Sequence, residues 1–322
     1  MQTSVEINGD VLRVWEALSS DALRPLKEIA SDLGIPYSRA RRSIEWLVAH
    51  GHLQGYRAIL NPFKLGLRHA ALAFFRTNPS EPHIRKYLLE MPRVERVSVL
   101  SGTYSLMALV RCENRDSYET TLGKLDELVA QSKFKQSDYV SIIRTYKENG
   151  IPLPAEKKDA NGTVKLDNKD KQILHMISFQ KVSPDRYLPM PSTEIAKRLG
   201  YSQPSVHRRV KRLIEEGVIL RIRSEPNPAE WNKDQFLIAL KVDLKNSDHV
   251  VKHLLEDGRV VSFYRVGREY QFRVFVSSPS ILDLREFLDR LYELDGVIDT
   301  NTQIIFGTKI SSFANHLIGS IT

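Results

Sequence analysis

Cysteine is almost missing from this chain: Cys112 is the only one in 322 residues. One cysteine excludes an intrachain disulfide framework and fits a reducing interior. Long apolar runs are missing as well. No stretch approaches the ~18 consecutive apolar residues of a membrane-spanning helix, and residues 1–10 carry neither the basic start nor the apolar core of a secretory leader. These absences read as a cytoplasmic chain with no membrane partner. Equally absent are a Ser-His-Asp order with its local signatures, a glycine loop that could cradle phosphates and a Cys-His cluster. The sequence therefore points to no hydrolytic or redox chemistry, no cofactor and no metal. His249 and His253 stand four apart on a predicted helix, but two ligands without a third do not make a zinc site.

What is present is positive charge. The chain carries 47 Lys and Arg against 39 Asp and Glu, a net +8, with a pI near 9.4. An excess of this size favours an anionic partner such as nucleic acid. The apolar and charged fractions, 42% and 27%, are ordinary for globular protein and select no function. A chain of this length holds two to three domains, each able to bury its own core.

A repeat organises the chain. Residues 29–51 recur as residues 195–217 at a constant offset of 166, so that Ile29 maps to Ile195, Gly34 to Gly200, Arg42 to Arg208, Leu47 to Leu213 and Gly51 to Gly217. Each copy reads as a short helix, a glycine turn and a second helix, the pattern of a helix-turn-helix. Ala40, Ile44, Leu47 and Val48 make one apolar stripe on the second helix, and Val206, Val210, Leu213 and Ile214 repeat it. At 100° per residue the opposite faces show Ser38, Arg39 and Arg42, and Ser205, Arg208 and Arg212. Trp46 falls near the polar side of its helix, where packing on another domain is the expected reason. A helix precedes each pair, near residues 8–18 and 167–177. The connection that follows is short at residues 19–24 and longer, with three prolines, at residues 179–191.

After each helix pair comes a β-prone segment, residues 53–60 and 218–224, ending in Asn61-Pro62 and Asn227-Pro228. Its place suits the wing of a winged helix, with Arg57, Arg221 and Arg223 available for phosphates. Between residues 201 and 223 six basic residues oppose two acidic ones, a net +4. The rest of each half reads strand, helix, strand, strand, helix, strand. The strands fall near 69–76, 94–100, 104–111 and 138–146, then 236–242, 260–265, 270–276 and 297–306. The helices fall near 82–90 and 115–130, then 248–256 and 281–294. This order predicts a ferredoxin-like βαββαβ sandwich. The fold class is thus α+β, a tandem repeat of winged helix-turn-helix and ferredoxin-like sandwich. The expected domains are 1–62 and 63–147, a linker at 148–166, then 167–228 and 229–322.

The arrangement resembles the Lrp/AsnC, or feast/famine, family of transcription regulators, taken twice along nearly the whole chain. The resemblance rests on Leu166-Asp167 and Asp170 before Ile173-Leu174, on Ile195-Ala196 to Leu199-Gly200, on residues 206–217, and on the turn Ser101-Gly102-Thr103-Tyr104-Ser105-Leu106. It implies a sequence-specific regulator that binds double-stranded DNA, with recognition helices in the major groove. It also implies a second domain that pairs and binds an amino acid or similar small effector. Two units in one chain imply an intrachain pseudo-dimer, which could associate further as a homo-oligomer. Ser105 and Gln271 stand where the family usually has an acidic residue after the tyrosine.

The candidate DNA contacts are Tyr37, Ser38, Arg39, Arg41, Arg42 and Arg57 in the first half. In the second they are Ser202, Gln203, Ser205, His207, Arg208, Arg209, Arg212, Arg221 and Arg223. Arg42 or Arg208 can offer guanine a bidentate pair, worth about 1–3 kcal/mol of discrimination. Arg39, Arg41, Arg209 and Arg212 are expected on phosphates. Effector candidates are Gly102, Thr103, Tyr104, Gly267 and Tyr270, although a tight turn explains either glycine as well. Two alternatives stay open. One is an enzyme like the siroheme decarboxylases, which share this architecture; there Arg268 and Gln271 replace the histidine and asparagine of a His-x-Tyr-Asn segment. The other is an effector-sensing or assembly protein whose helix-turn-helix units no longer engage DNA.

Overall fold

A computed structural model describes residues 9–78, 80–153, 162–183, 185–226 and 234–310. The first copy runs α1 (Gly9–Ser20), α2 (Leu26–Asp32), α3 (Tyr37–Ala49), β1 (Leu53–Leu60), β2 (His69–Arg76), α4 (Pro82–Glu90), β3 (Val94–Leu100), β4 (Leu106–Cys112), α5 (Arg115–Ala130), β5 (Gln136–Glu148) and β6 (Ile151–Pro152). The second runs α6 (Asn168–Ser178), β7 (Gln180–Lys181), α7 (Ser192–Leu199), α8 (Gln203–Glu215), β8 (Ile219–Pro226), β9 (Asp234–Val242), α9 (Ser247–Glu256), β10 (Val260–Val266), β11 (Phe272–Ser278), α10 (Ile281–Tyr292) and β12 (Val297–Ile310). The repeat survives in three dimensions, since α8, β8, β10 and β11 each begin 166 residues after α3, β1, β3 and β4.

Spatial grouping does not follow chain order. One unit collects the described residues within 1–65 and 163–231, the other those within 66–162 and 232–317. In the first unit β1 and β8 pair antiparallel, with Arg57 opposite Arg223. The strand that follows each recognition helix is thus bonded to its counterpart in the other copy. The first helices cross over too: α1 packs on β8 and α6 on β1. Ser19 Oγ meets Ser224 Oγ at 2.8 Å, and the Ala22 amide donates to the Ile222 carbonyl at 2.7 Å. The longer connection at residues 179–191 adds β7 to the outer edge of β1. There the buried Tyr56 donates its hydroxyl to the Tyr187 carbonyl at 2.9 Å.

The second unit holds both βαββαβ segments. Each gives a four-stranded antiparallel sheet, β5-β2-β4-β3 and β12-β9-β11-β10. The sheets join at β3–β12 and again at β10–β5, closing a ring of eight strands to which β6 is appended. Helices cover one face of each sheet: Leu88, Leu125 and Leu128 seal the first, and Val250, Leu254 and Phe287 the second. The opposite faces meet in a cluster drawn from both copies, including Leu72, Phe74, Met107 and Leu109 with Leu237, Val266, Phe275 and Ile305.

A charged knot sits among these side chains. Arg111 Nε donates to Glu95 at 2.6 Å and its Nη2 to Glu148 at 2.5 Å. Arg96 donates to Glu148 at 3.3 Å and to the Tyr264 hydroxyl at 2.7 Å, while Tyr264 and Ser262 donate to Glu148. Burial alone would push Glu148 toward its neutral form, but Arg111 and Arg96 outweigh it and hold the carboxyl below the usual range. Glu148 was expected to open the linker; instead it ends β5, and β6 folds back on it through Glu148–Ile151 pairing. The cause is tertiary, because the charged and hydrogen-bonding partners that hold Glu148 in the sheet are Arg96, Arg111 and Tyr264. The expected helix start at Asn8, the Asn227-Pro228 strand end, residues 154–161 of the linker and residues 311–322 of the last domain lie outside the described residues.

Candidate nucleic-acid interface

The helix-turn-helix geometry comes from apolar spacing and two left-handed glycines. Ala40, Ile44 and Leu47 of α3 are buried, as are Val206 and Leu213 of α8. Gly34 and Gly200, with φ of +64° and +68°, turn the chain from α2 into α3 and from α7 into α8. A side chain is strained in that conformation, so glycine suits both turns.

The outward arginines divide into two groups. Arg39 pairs with Asp10 at 3.2 Å. Arg41 pairs with Glu45 at 2.9 Å and lies 5.6 Å over the Tyr187 ring. Arg209 reaches Asp167 at 2.8 Å and Asp170 at 2.7 Å, and Arg212 reaches Asp170 at 2.5 Å. Asp167 and Asp170 also form the reciprocal capping box at the start of α6. The Asp170 hydrogen bond, together with Asp167, raises the Arg209 pKa against the effect of burial. These four arginines, expected on phosphates, are spent on internal ion pairs: Arg39 ties α3 to α1, Arg209 and Arg212 tie α8 to α6, and Arg41 pairs within α3.

Arg42 and Arg208 differ from them. They are equivalent positions, both are exposed, and among the described residues neither has a carboxylate partner. Arg42 Nε makes only a 3.3 Å bond back to the Ser38 carbonyl. Tyr37, Ser38, Ser202, Gln203 and His207 are exposed beside them, and Ser205 is half-buried. Arg57, expected to be available for phosphates, is instead half-buried against Glu225 at 3.2 Å and stacked over Phe179. Arg221 and Arg223 are half-buried on β8. Trp46, expected to pack on another domain, stacks on His50 at 4.2 Å and His52 at 5.1 Å, an aromatic contact at the end of its own helix.

The effector candidates lie in the second unit. Gly102 has φ +92°, and its turn is clamped to β12, where the Ser101 amide donates to the Ile304 carbonyl at 2.9 Å. Thr103 is exposed, and Tyr104 packs on Phe74 at 5.9 Å. Gly267 is exposed beside Ile143 of β5. Tyr270 donates to Asp299 at 2.5 Å. Arg268 pairs with Asp138 of β5. Each turn therefore rests against the last strand of the other copy. Ser105 Oγ accepts from the Thr77 amide at 2.9 Å, and Gln271 Oε1 from the Val242 amide at 3.0 Å. Both residues stitch the turn to the end of the first sandwich strand.

The fold and the twin recognition helices define a tandem helix-turn-helix protein with paired ferredoxin-like sandwiches. Residues 189–219 match the winged helix-turn-helix DNA-binding family model, and residues 235–314 match the Lrp/AsnC ligand binding domain. The HTH-type transcriptional regulator FL11 of Pyrococcus furiosus is 30% identical over 142 residues, covering 44% of this chain and 89% of the relative. The proline dehydrogenase transcriptional activator of Rhizobium radiobacter is 28% identical over 145 residues, covering 44% and 91%. The chain belongs to the Lrp/AsnC family of transcription regulators. Over its whole length its fold is similar to the siroheme decarboxylase NirDL, with TM-score 0.63, 15% identity and 97% of each chain covered.

Proposed function

We propose that this regulator binds duplex DNA sequence-specifically by laying α3 and α8 in the major groove, with Arg42 and Arg208 as the side chains that reach base edges. The observation that carries this reading is the shared state of those two arginines. At one repeated position both copies keep an exposed guanidinium with no carboxylate partner among the described residues, while Arg39, Arg41, Arg209 and Arg212 are neutralised internally. A guanidinium in that state is available for a bidentate pair with guanine. Tyr37, Ser38, Ser202, Gln203 and His207 would flank the contacts.

We further infer a small effector at the turns around Gly102, Thr103 and Tyr104 or around Gly267 and Tyr270, where a ligand would bear on a strand of the other copy. The role of Arg268 favours the non-enzymatic reading: it stands in place of the histidine of the decarboxylase segment and is occupied by Asp138. The deciding experiment is a gel shift on random duplexes across a salt series, comparing the unsubstituted chain with Arg42→Ala and Arg208→Ala. Each substitution should cost about 1–3 kcal/mol on selected duplexes. No duplex binding at low salt, or decarboxylation of added siroheme, overturns the reading.

A further inference from the structure

The two recognition helices share a fold but not a chemistry. Position by position at the 166-residue offset, Tyr37 of α3 becomes Gln203 of α8, Arg41 becomes His207, and Glu45 becomes Lys211. The last change reverses a charge. Glu45 and Arg41 neutralise each other at 2.9 Å, and Tyr187, from the longer connection of the second copy, lies over the same guanidinium. On α8 the corresponding His207 is exposed. Among the described residues Lys211 pairs with Glu215 at 3.7 Å, with both side chains more than 60% exposed, a contact that water and salt weaken to little. The asymmetry extends beneath the helices, since β7 adds an edge strand to β1, whereas the shorter connection of the first copy meets β8 through the single backbone bond from Ala22 to Ile222.

We propose that one chain engages duplex DNA with a fixed polarity: α8 anchors through Arg208 and Lys211, α3 holds the adjoining half-site more weakly through Arg42, and the operator within one chain's footprint is non-palindromic. This rests on the DNA-binding reading above and adds to it. A regulator built from identical chains reads a palindrome because its two-fold axis makes both half-sites see the same side chains. Here the axis is only approximate, and the residues aimed at DNA are the ones that break it. Glu45, spent on Arg41, gives the phosphates no counterpart to Lys211, so the heads differ in grip as well as in base preference.

Duplex selection with the full chain, followed by footprinting at one chain per duplex, tests this. The expected motif has unlike halves; Arg208→Ala erases the preference in one half and Arg42→Ala in the other. Arg208→Ala should cost about ten- to a hundredfold in affinity, Arg42→Ala less. Lys211→Glu should reduce the log-log salt slope by about 0.9, and Glu45→Lys should tighten binding. All four changes are on exposed or half-exposed helix positions, and an unchanged melting curve confirms each variant is folded. A palindromic motif within one footprint, or equal losses from the two arginine variants, overturns the polarity while leaving duplex binding standing. Absence of duplex binding by the unsubstituted chain overturns both.

Discussion

Glu148 accepts a 2.5 Å hydrogen bond from Arg111 Nη2 at a point where neither side chain is more than 3% exposed. The carboxylate closes the first copy's sandwich, and its other partners include Tyr264 and Ser262 of the second. Removing its charge leaves Arg96 and Arg111 with Glu95 as their remaining acid. Glu148→Gln should therefore lower the unfolding free energy by about 3–5 kcal/mol, read from urea denaturation. Tyr264→Phe, which deletes hydrogen bonds but no charge, should cost about 1–3 kcal/mol. Equal costs would mean that the knot acts through packing rather than charge.

The same carboxylate gives a pH dependence of definite sign. Its pKa is depressed in the folded chain by Arg111 and Arg96 despite burial, relative to about 4.3 for an unperturbed glutamate. Between the folded and unfolded values the unfolded chain binds more protons, so stability rises with pH through that window. The contribution is complete above the unfolded value and disappears as pH falls through the folded one. Stability profiles between pH 3 and 7 should show the wild type losing more than Glu148→Gln on the acid side. Parallel profiles would remove Glu148 as the cause.

Asp170 separates structural arginines from those available for DNA. It is 1% exposed, accepts from the Asp167 amide in the capping box of α6 and receives Arg209 and Arg212. Because those arginines are 23% and 40% exposed, solvent discounts the ion-pair energy. Asp170→Ala is expected to cost about 1–3 kcal/mol, mostly through the lost cap. Arg209→Ala should lower the melting temperature and leave the salt dependence of DNA binding unchanged. Arg208→Ala should do the reverse. A salt slope altered by Arg209→Ala would return that residue to the DNA contacts.

Gly55 measures how firmly β7 holds β1. A Cβ at residue 55 would lie 2.4 Å from the Gln180 carbonyl oxygen, a backbone atom that cannot step aside alone. Gly55→Ala should force β7 outward at a cost of about 1–3 kcal/mol and speed amide exchange at Tyr56, which lies opposite Gln180, and at Val182, which donates to Gln54.

Periodicity carried the local structure well, and the reasons are physical. Residues 94–100, 82–90 and 115–130 alternate or cycle between apolar and polar, and residues 70–75 form a short apolar run bounded by His69 and Arg76, which gives β2, β3, α4 and α5 with the expected limits. Pairing between distant strands was not legible. Residues 53–60 look like a wing because their only local signals are β propensity and a following Asn-Pro, yet their hydrogen bonds go to β8. The outward face of each recognition helix was visible from 100° spacing. Which arginines on it are free was not, since Asp10, Asp167 and Asp170 meet them only after the helices pack. The charged knot had no sequence signature: Glu95, Arg96, Arg111, Glu148 and Tyr264 are scattered along the chain and become neighbours through ring closure.

The bond ladder between β1 and β8 has a consequence for how binding depends on protein amount. In an ordinary dimer the two reading heads come together by a second-order event, so dilution separates them and weakens attachment to a double site. Here both strands belong to one chain, and the second head is delivered at an effective concentration set by the intervening polypeptide rather than by the solution. Occupancy of a complete operator by this chain should follow a simple hyperbola down to the lowest protein levels, with no threshold below which the heads part.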